Sequence, residues 1–277
     1  MGLRINTNVQ SISAQRNLMN TNRRINSNLS KLSSGERITK AADDAAGLAI
    51  SEKLKSEIRS IRQAKRNADD GISLVQTAEG GLQEISNILI RLRELSVQAA
   101  TDTIGDTERG FSDIEFQQLK SEIQRISLSS EFNGRKLLDG TGGLVDIQVG
   151  TKNDPFNDRI TYDANSIVST LESLGIGSES ITTKQGAQLS LEKLDDALVH
   201  VNGSRANLGA IQNRLQSVVQ NLGVTEENFS EANSRIRDVD VAAETASLTK
   251  NQILSQAGVS VLSQANQSPQ FALKLLG

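Results

Sequence analysis

Apolar positions step by three and four along most of the chain, and this spacing predicts long helices. The first stripe runs Ile5, Val9, Ile12, then Met19, Ile25, Leu29 and Leu32, on a helix otherwise made of Asn, Ser, Gln and Arg. So thin a stripe buries too little to fold alone, so the segment is expected to stay disordered until a partner covers it. Gly35 is a natural stop. The longest signal follows, from near Asp44 to near Ala100, through Leu54, Ile58, Ile61, Ala68, Ile72, Val75, Leu82, Ile85, Leu89, Leu92 and Leu95. About 55 helical residues extend roughly 80 Å, a rod rather than a globular-domain helix. Gly71, Gly80 and Gly81 inside it mark a bend or a close approach. Phe116, Leu119, Ile123 and Ile126 predict a further helix.

The period then changes. Val145, Ile147 and Val149 alternate, Lys152 to Asp158 is turn-rich, and Arg159 to Asp163 alternates again, which reads as a β-hairpin within about 140–165. Residues 164–186, rich in Ser, Thr and Gly, are expected to form an exposed loop or a short irregular element. Heptads return from Ala187: Leu191, Leu194, Leu198, Val201, Leu208, Ile211, Leu215, Val218 and Leu222, on to Ile236. This second rod is long enough to lie antiparallel on the first. Val241 to Ala265 is again a weak amphipath, with Ile253, Ala257 and Val261 along one stripe. The expected fold class is mainly α: long antiparallel, coiled-coil-like helical rods with a small β-hairpin. Residues 1–40 and 238–277 are expected to form a terminal-helix domain, and 41–237 the rod domain. A polymer that buries the terminal stripes between subunits explains why they are apolar yet thin.

Composition narrows the function. The 277 residues contain no cysteine, no tryptophan, one tyrosine and one histidine, His200. Disulfides and thiolate metal sites are excluded, and an enzyme is disfavoured. His200 has no HExxH and no carboxylate cluster beside it, so it reads as a surface or packing residue. Asp43-Asp44 and Asp69-Asp70 read as helix-start or solvated charge. Gly140-Thr-Gly-Gly lacks the Lys-Ser/Thr of a phosphate loop. No cofactor is expected. The basic N-terminal segment lacks the aromatics that stack on bases, and the net charge is −3, so no nucleic-acid partner is expected. No apolar run is long enough for membrane insertion, and no secretory signal is legible at the start.

Several blocks resemble bacterial flagellin. They are Ile5-Asn-Thr-Asn, Leu32-Ser-Ser-Gly-Glu-Arg-Ile, Ala41-Ala-Asp-Asp-Ala-Ala-Gly-Leu-Ala-Ile, Arg91-Leu-Arg-Glu-Leu-Ser-Val-Gln-Ala, and Phe132-Asn-Gly with Lys136-Leu-Leu. In the C-terminal half Ser234-Arg-Ile-Arg-Asp, Gln252-Ile-Leu-Ser-Gln-Ala-Gly and Leu262-Ser-Gln-Ala-Asn-Gln continue the family's order. The resemblance implies a structural subunit of the flagellar filament, in a minimal form without outer variable domains, exported through the flagellar type III channel and located outside the cell. The hook–filament junction protein shares the terminal design and is the alternative within that class. A soluble coiled-coil scaffold is the alternative outside it.

The resemblance also implies partners and sites. Terminal helices pack between subunits as the inner tube, here through Ile5, Val9, Ile12, Leu29, Leu32, Ile253, Ala257 and Val261. An export chaperone clamps the C-terminal segment, about 238–277, where Leu273, Leu275 and Leu276 are apolar anchors. Hook-associated and cap proteins meet the filament at its ends. The animal Toll-like receptor that senses flagellin contacts an arginine, a leucine and a glutamate, which fall here on Arg91, Leu95 and Glu115. The 164–186 loop is expected to face outward, with Ser166, Ser169, Thr170, Ser178, Ser180, Thr182 and Thr183 as candidate O-glycan sites.

Overall fold

The computed structural model describes residues 7–276, with side chains through Gln267. Ile5 and the side chains of Leu273, Leu275 and Leu276 lie outside the described residues. The helices are α1 (Val9–Ser34), α2 (Ala45–Ala99), α3 (Asp106–Ser129), α4 (Lys184–Arg237) and α5 (Val241–Leu276). The strands are β1 (Glu131–Phe132), β2 (Arg135–Lys136), β3 (Leu144–Gln148) and β4 (Arg159–Asp163). Among the described residues no helix is long and apolar enough to cross a membrane, and no His, Cys, Asp or Glu cluster is placed to hold a metal.

The chain divides into two compact units: Arg59–Glu227, and the chain up to Ile58 together with that from Asn228 onward. The divisions fall inside α2 and α4, not at the 40/41 and 237/238 boundaries expected from sequence. The physical reason is local: the first turns of α2 and the last turns of α4 bond to the segments around Gly35 and Asp238, which draws them into the terminal unit.

Within Arg59–Glu227, α2 and α4 run antiparallel, as the ion pairs Arg62–Glu226, Glu79–Arg205 and Arg93–Asp195 record. Leu82, Ile85, Leu89 and Leu92 of α2 are fully buried with Leu194, Val201, Leu208 and Leu215 of α4 and with Phe116 and Ile123 of α3. Each such side chain contributes about 1.5–3 kcal/mol of burial. The end of α2 has no basic residue in its last turn. Its terminal carbonyls are met instead by buried Arg109 of α3, which donates to Ala99 O at 2.9 Å and Thr101 O at 2.8 Å.

β3 and β4 form the expected antiparallel hairpin, with Ile147 opposite Ile160 and Val145 opposite Tyr162. Its inner side sits on the helices, where Ile147, Val149, Ile160 and Tyr162 are buried. The Tyr162 hydroxyl donates to Leu137 O at 3.1 Å. A second, minimal hairpin pairs β1 with β2 around Asn133-Gly134, both at positive φ (50° and 75°). Two consecutive left-handed residues define the tight turn that Asn-Gly favours.

Of the two expectations for 164–186, the structure has the irregular element and not the exposed loop. The segment opens with a 3-10 helix, Ala164–Ile167, and buries Ile167, Leu174, Ile176 and Ile181 in the core. Buried Lys120 of α3 holds it by donating to Gly177 O at 2.9 Å and Glu179 O at 2.7 Å. Asp113 of α3 accepts from Ile181 N and the Ser180 hydroxyl. These apolar residues fall at irregular spacing, so no period announces them.

Candidate assembly surface

The terminal unit is built on α1 and α5, which lie antiparallel. Asn8 Nδ2 donates to Ala265 O at 2.7 Å, Ser11 Oγ to Asn266 Oδ1 at 2.7 Å, and Ser255 Oγ to Asn22 Oδ1 at 3.3 Å. Asn8 caps α1 by accepting from Ser11 N, and Gly35 ends it at φ 72°, its N–H donating to Lys31 O.

The buried and half-buried positions of α1 are Ser11, Ala14, Leu18, Thr21, Ile25, Asn28 and Leu32, in an alternation of three and four, with Lys31 beside the last of them. On α5 they include Glu244, Leu248, Asn251, Ser255, Gly258, Leu262 and Ala265, on the same alternation. This is a coiled-coil seam made largely of small and polar residues. With its amide oriented to donate to Arg24 O, buried Asn28 accepts from Ser247 Oγ and Leu248 N of α5.

Beside the seam's own Leu18, Ile25, Leu32, Leu248 and Leu262, a second set of large apolar residues points the other way. Val9 is 63% exposed, Ile12 50%, Leu29 57%, Ile253 60% and Val261 59%, and Ala257 is also exposed. Leu32 differs from the expectation. It falls on the internal seam and is half-buried there, so it faces α5 of its own chain. On α1 the outward positions Val9, Ile12, Arg16, Met19 and Arg23 repeat on the seam's own spacing. α1 contains no acidic residue, so its outward face is cationic as well as apolar. Between the helices runs an open groove of about 540 Å³, lined by Gln10, Ser13, Ala14, Asn17, Val261, Gln264 and Ala265. Each helix thus has two faces: an inner seam weak in hydrophobic content, and an outer apolar stripe uncovered in the single chain.

The other sites of sequence reasoning lie in Arg59–Glu227. Arg91 and Glu115 meet across α2 and α3 at 2.9 Å, and Arg91 also pairs with Glu94. The hydrogen bond to Glu94, then that to Glu115, raises the pKa of the Arg91 guanidinium. Leu95, the third expected receptor contact, is 2% exposed and belongs to the core. The reason is its position in the stripe Leu82, Ile85, Leu89, Leu92, which turns it inward. Among the expected glycan acceptors Ser166, Ser178, Thr182 and Thr183 are exposed, and Thr170 and Ser180 half-buried. Ser169 is fully buried, its hydroxyl donating to Ile167 O and its N–H to Leu138 O, which removes it as an acceptor. His200 is exposed.

A mainly helical chain whose terminal helices leave a row of large apolar residues outside, over an inner seam of mostly small and polar ones, has the character of a self-assembling subunit. Residues 5–142 match the bacterial flagellin N-terminal helical region, and residues 191–276 match the bacterial flagellin C-terminal helical region. The chain is 44% identical over 273 residues to a flagellin of Halalkalibacterium halodurans, covering 98% of this chain and 99% of that one. It is 41% identical to the flagellin of Bacillus subtilis, covering 99% and 100%. It is also 41% identical to the flagellar filament 30.7 kDa core protein of Treponema maltophilum, covering 98% and 99%. The crystal structure of Bacillus cereus flagellin is similar with a TM-score of 0.51 at 34% identity, covering 57% of this chain and 88% of that one. The chain belongs to the bacterial flagellin family, a family of structural proteins, and is a subunit of the flagellar filament.

Proposed function

We propose that the contacts between subunits are made by the outward faces of α1 and α5: Val9, Ile12 and Leu29 on one helix, Ile253, Ala257 and Val261 on the other. The carrying observation is the row of large apolar residues left exposed on each helix, outside a seam in which small and polar residues outnumber Leu18, Ile25, Leu32, Leu248 and Leu262. Covering such residues contributes about 25 cal/mol per Å² of apolar area, an increment that the isolated chain forgoes. Terminal helices with so little hydrophobic content in their own seam order fully when neighbours cover them. They form the inner tube of the filament, and the long helices with the β3–β4 hairpin form its wall. The test is a double substitution, Ile12→Asp with Ile253→Asp, in the full chain. Both sites are exposed, so the monomer keeps its helical content while seeded filaments stop elongating. Normal filaments from this variant, or from a chain lacking residues 1–30, would overturn the assignment.

The remaining partners follow from the family. The C-terminal segment, about 238–277, is offered to an export chaperone before secretion, and hook-associated and cap proteins meet the filament at its ends. Recognition by the Toll-like receptor rests on Arg91 and Glu115, which are exposed together, and not on Leu95. O-glycans, where present, sit on Ser166, Ser178, Thr182 or Thr183. An intact mass of native filaments equal to that of the bare chain excludes them.

A further inference from the structure

Two chain breaks, Gly35–Asp44 between α1 and α2 and Asp238–Asp240 between α4 and α5, are tied directly to each other. Arg37 N donates to Arg237 O at 2.6 Å and Val239 N to Gly35 O at 3.0 Å, which pairs Glu36 with Asp238 as an isolated antiparallel bridge. The guanidinium of Arg37 donates to Ile236 O through Nε and Nη2, at 3.1 and 2.6 Å. It thereby covers a carbonyl that α4 leaves open at its end. Arg237 closes the arrangement from the other side. Its Nε donates to Glu36 Oε1 at 2.8 Å and its Nη2 to Glu36 Oε2 at 3.2 Å, a fork-to-carboxylate pair. Its Nη1 reaches Glu52 and, at 3.4 Å, the Ser51 hydroxyl. Ser51 is fully buried and donates to Asn233 Oδ1 at 2.9 Å. The Arg237 side chain is 15% exposed.

The α1–α5 seam needs such a fixed point. Its apolar residues recur by heptads, so they alone favour the native register only in part. On α1, Leu18, Ile25 and Leu32 recur at one seam position and Ala14, Thr21 and Asn28 at the other. On α5, Leu248, Ser255 and Leu262 alternate with Asn251, Gly258 and Ala265. A slide of one heptad sets leucine near isoleucine or leucine again at some levels, while Ser255 and Gly258 take the place of larger residues at others, so packing contributes to the register without fixing it alone. The paired breaks lie at the end of this seam and in line with it: the bridge joins 36 to 238, Asn22 meets Ser255, and Asn8 meets Ala265. A heptad slide would carry Glu36 about 10 Å along the axis, out of reach of Arg237.

We infer that Arg237, through its fork on Glu36, sets the register of the α1–α5 pair and so decides which residues of the two outward stripes stand side by side for the next subunit. It is a positioning residue.

The chain has no cysteine, so engineered cysteine pairs report the register without background. Leu18→Cys with Gly258→Cys probes the native register, since Leu18 lies against Gly258. Leu18→Cys with Asn251→Cys probes a slide of one heptad. In the full-length chain under mild oxidation, the first pair cross-links and the second does not. Adding Arg237→Ala lowers the native cross-link several-fold, raises the shifted one, and slows filament elongation. Arg237→Lys, which keeps the charge and loses the fork, falls between the two. Where Arg237→Ala also loses helical content by circular dichroism, Glu36→Gln replaces it, with the same direction and a smaller change. An unchanged native cross-link with normal elongation, in Arg237→Ala or in a folded Glu36→Gln, overturns the proposal. Equal loss in Arg237→Lys and Arg237→Ala with no shifted cross-link also overturns it, because that pattern is loss of stability and not of register.

Discussion

Gly71 of α2 lies directly beneath Ile147 of β3: a β-carbon on Gly71 would stand 2.6 Å from Ile147 Cδ1 and 3.2 Å from its Cγ2. The absent side chain is what lets the β3–β4 hairpin settle on the helix. Gly71→Ala should therefore lift the hairpin and lower stability by about 1–3 kcal/mol despite the better helix propensity of alanine. The neighbouring pair Gly80-Gly81 gives an internal control. A β-carbon on Gly81 would meet Leu138 Cδ1 at 2.8 Å and Ser130 Oγ at 2.9 Å, whereas one on Gly80 meets nothing within 4 Å. Gly80→Ala is expected to stabilise by about 0.5–1 kcal/mol and Gly81→Ala to destabilise. Thermal melts of the three variants check the order, and a stabilising Gly71→Ala would refute the close-approach account.

What the sequence made legible was governed by hydrophobic period. The long helices were expected from near Asp44 to near Ala100 and from Ala187, and the structure has α2 from Ala45 to Ala99 and α4 from Lys184. Gly35 ends α1 as its left-handed conformation requires. The exposed stripe of the terminal helices is legible in the sequence, and the seam beneath it only in part. The stripe through Val9, Ile12 and Leu29 reads as the packing face because it is apolar. The seam that joins α1 to α5 includes Ile25 and Leu32 of the same stripe, but also Ser11, Thr21, Asn28, Asn251, Ser255 and Gly258, residues to which a hydrophobicity pattern is blind. Leu95 was misplaced for the opposite reason: a family motif outweighed the heptad that turns it inward. The burial of residues 164–186 leaves no periodic trace, whereas the turn of the β1–β2 hairpin is written in the dipeptide Asn133-Gly134.

Tyr162 makes the fold sensitive to alkali. Burial, with Asp163 adding to it, pushes its phenol up to about 12 from an ordinary value of 10.0. The folded state keeps the proton through a range where the unfolded chain loses it. The contribution to stability is therefore complete below pH 10 and is lost as the pH rises from 10 to about 12, by roughly 2–3 kcal/mol. As the only tyrosine in a chain without tryptophan, its absorbance near 295 nm reports ionisation directly. Native protein should titrate near 12 and urea-unfolded protein near 10. Tyr162→Phe removes the hydrogen bond to Leu137 O at a cost of about 0.5–1.5 kcal/mol.

Arg91 and Leu95 should separate cleanly by experiment. Leu95→Ala opens a cavity in the core and should cost about 2–5 kcal/mol, seen as a lower unfolding midpoint. Arg91→Ala removes exposed pairs with Glu94 and Glu115 and should leave the midpoint almost unchanged. In a receptor reporter assay with monomer, Arg91→Ala should lose activity while folded, and Leu95→Ala should lose it only in proportion to its unfolded fraction. Full activity of folded Arg91→Ala would remove Arg91 from the contact.

Gly258 tests whether the terminal pair is held by a tight seam or a loose one. A β-carbon there would meet Leu18 Cδ1 at 3.4 Å, an ordinary van der Waals distance. Alanine fits without moving α1, and it relieves the helix interior of glycine at a gain of about 0.5–1 kcal/mol. Amide exchange along α5 should then slow by up to about fivefold, and filaments should still form. Leucine at the same position has no such room, and it should drive α1 away and speed exchange in both helices. The two substitutions thus move the terminal helices in opposite directions without touching Val9, Ile12, Ile253 or Val261. Faster exchange in Gly258→Ala would mean that the α1–α5 contact at Leu18 is not formed as described.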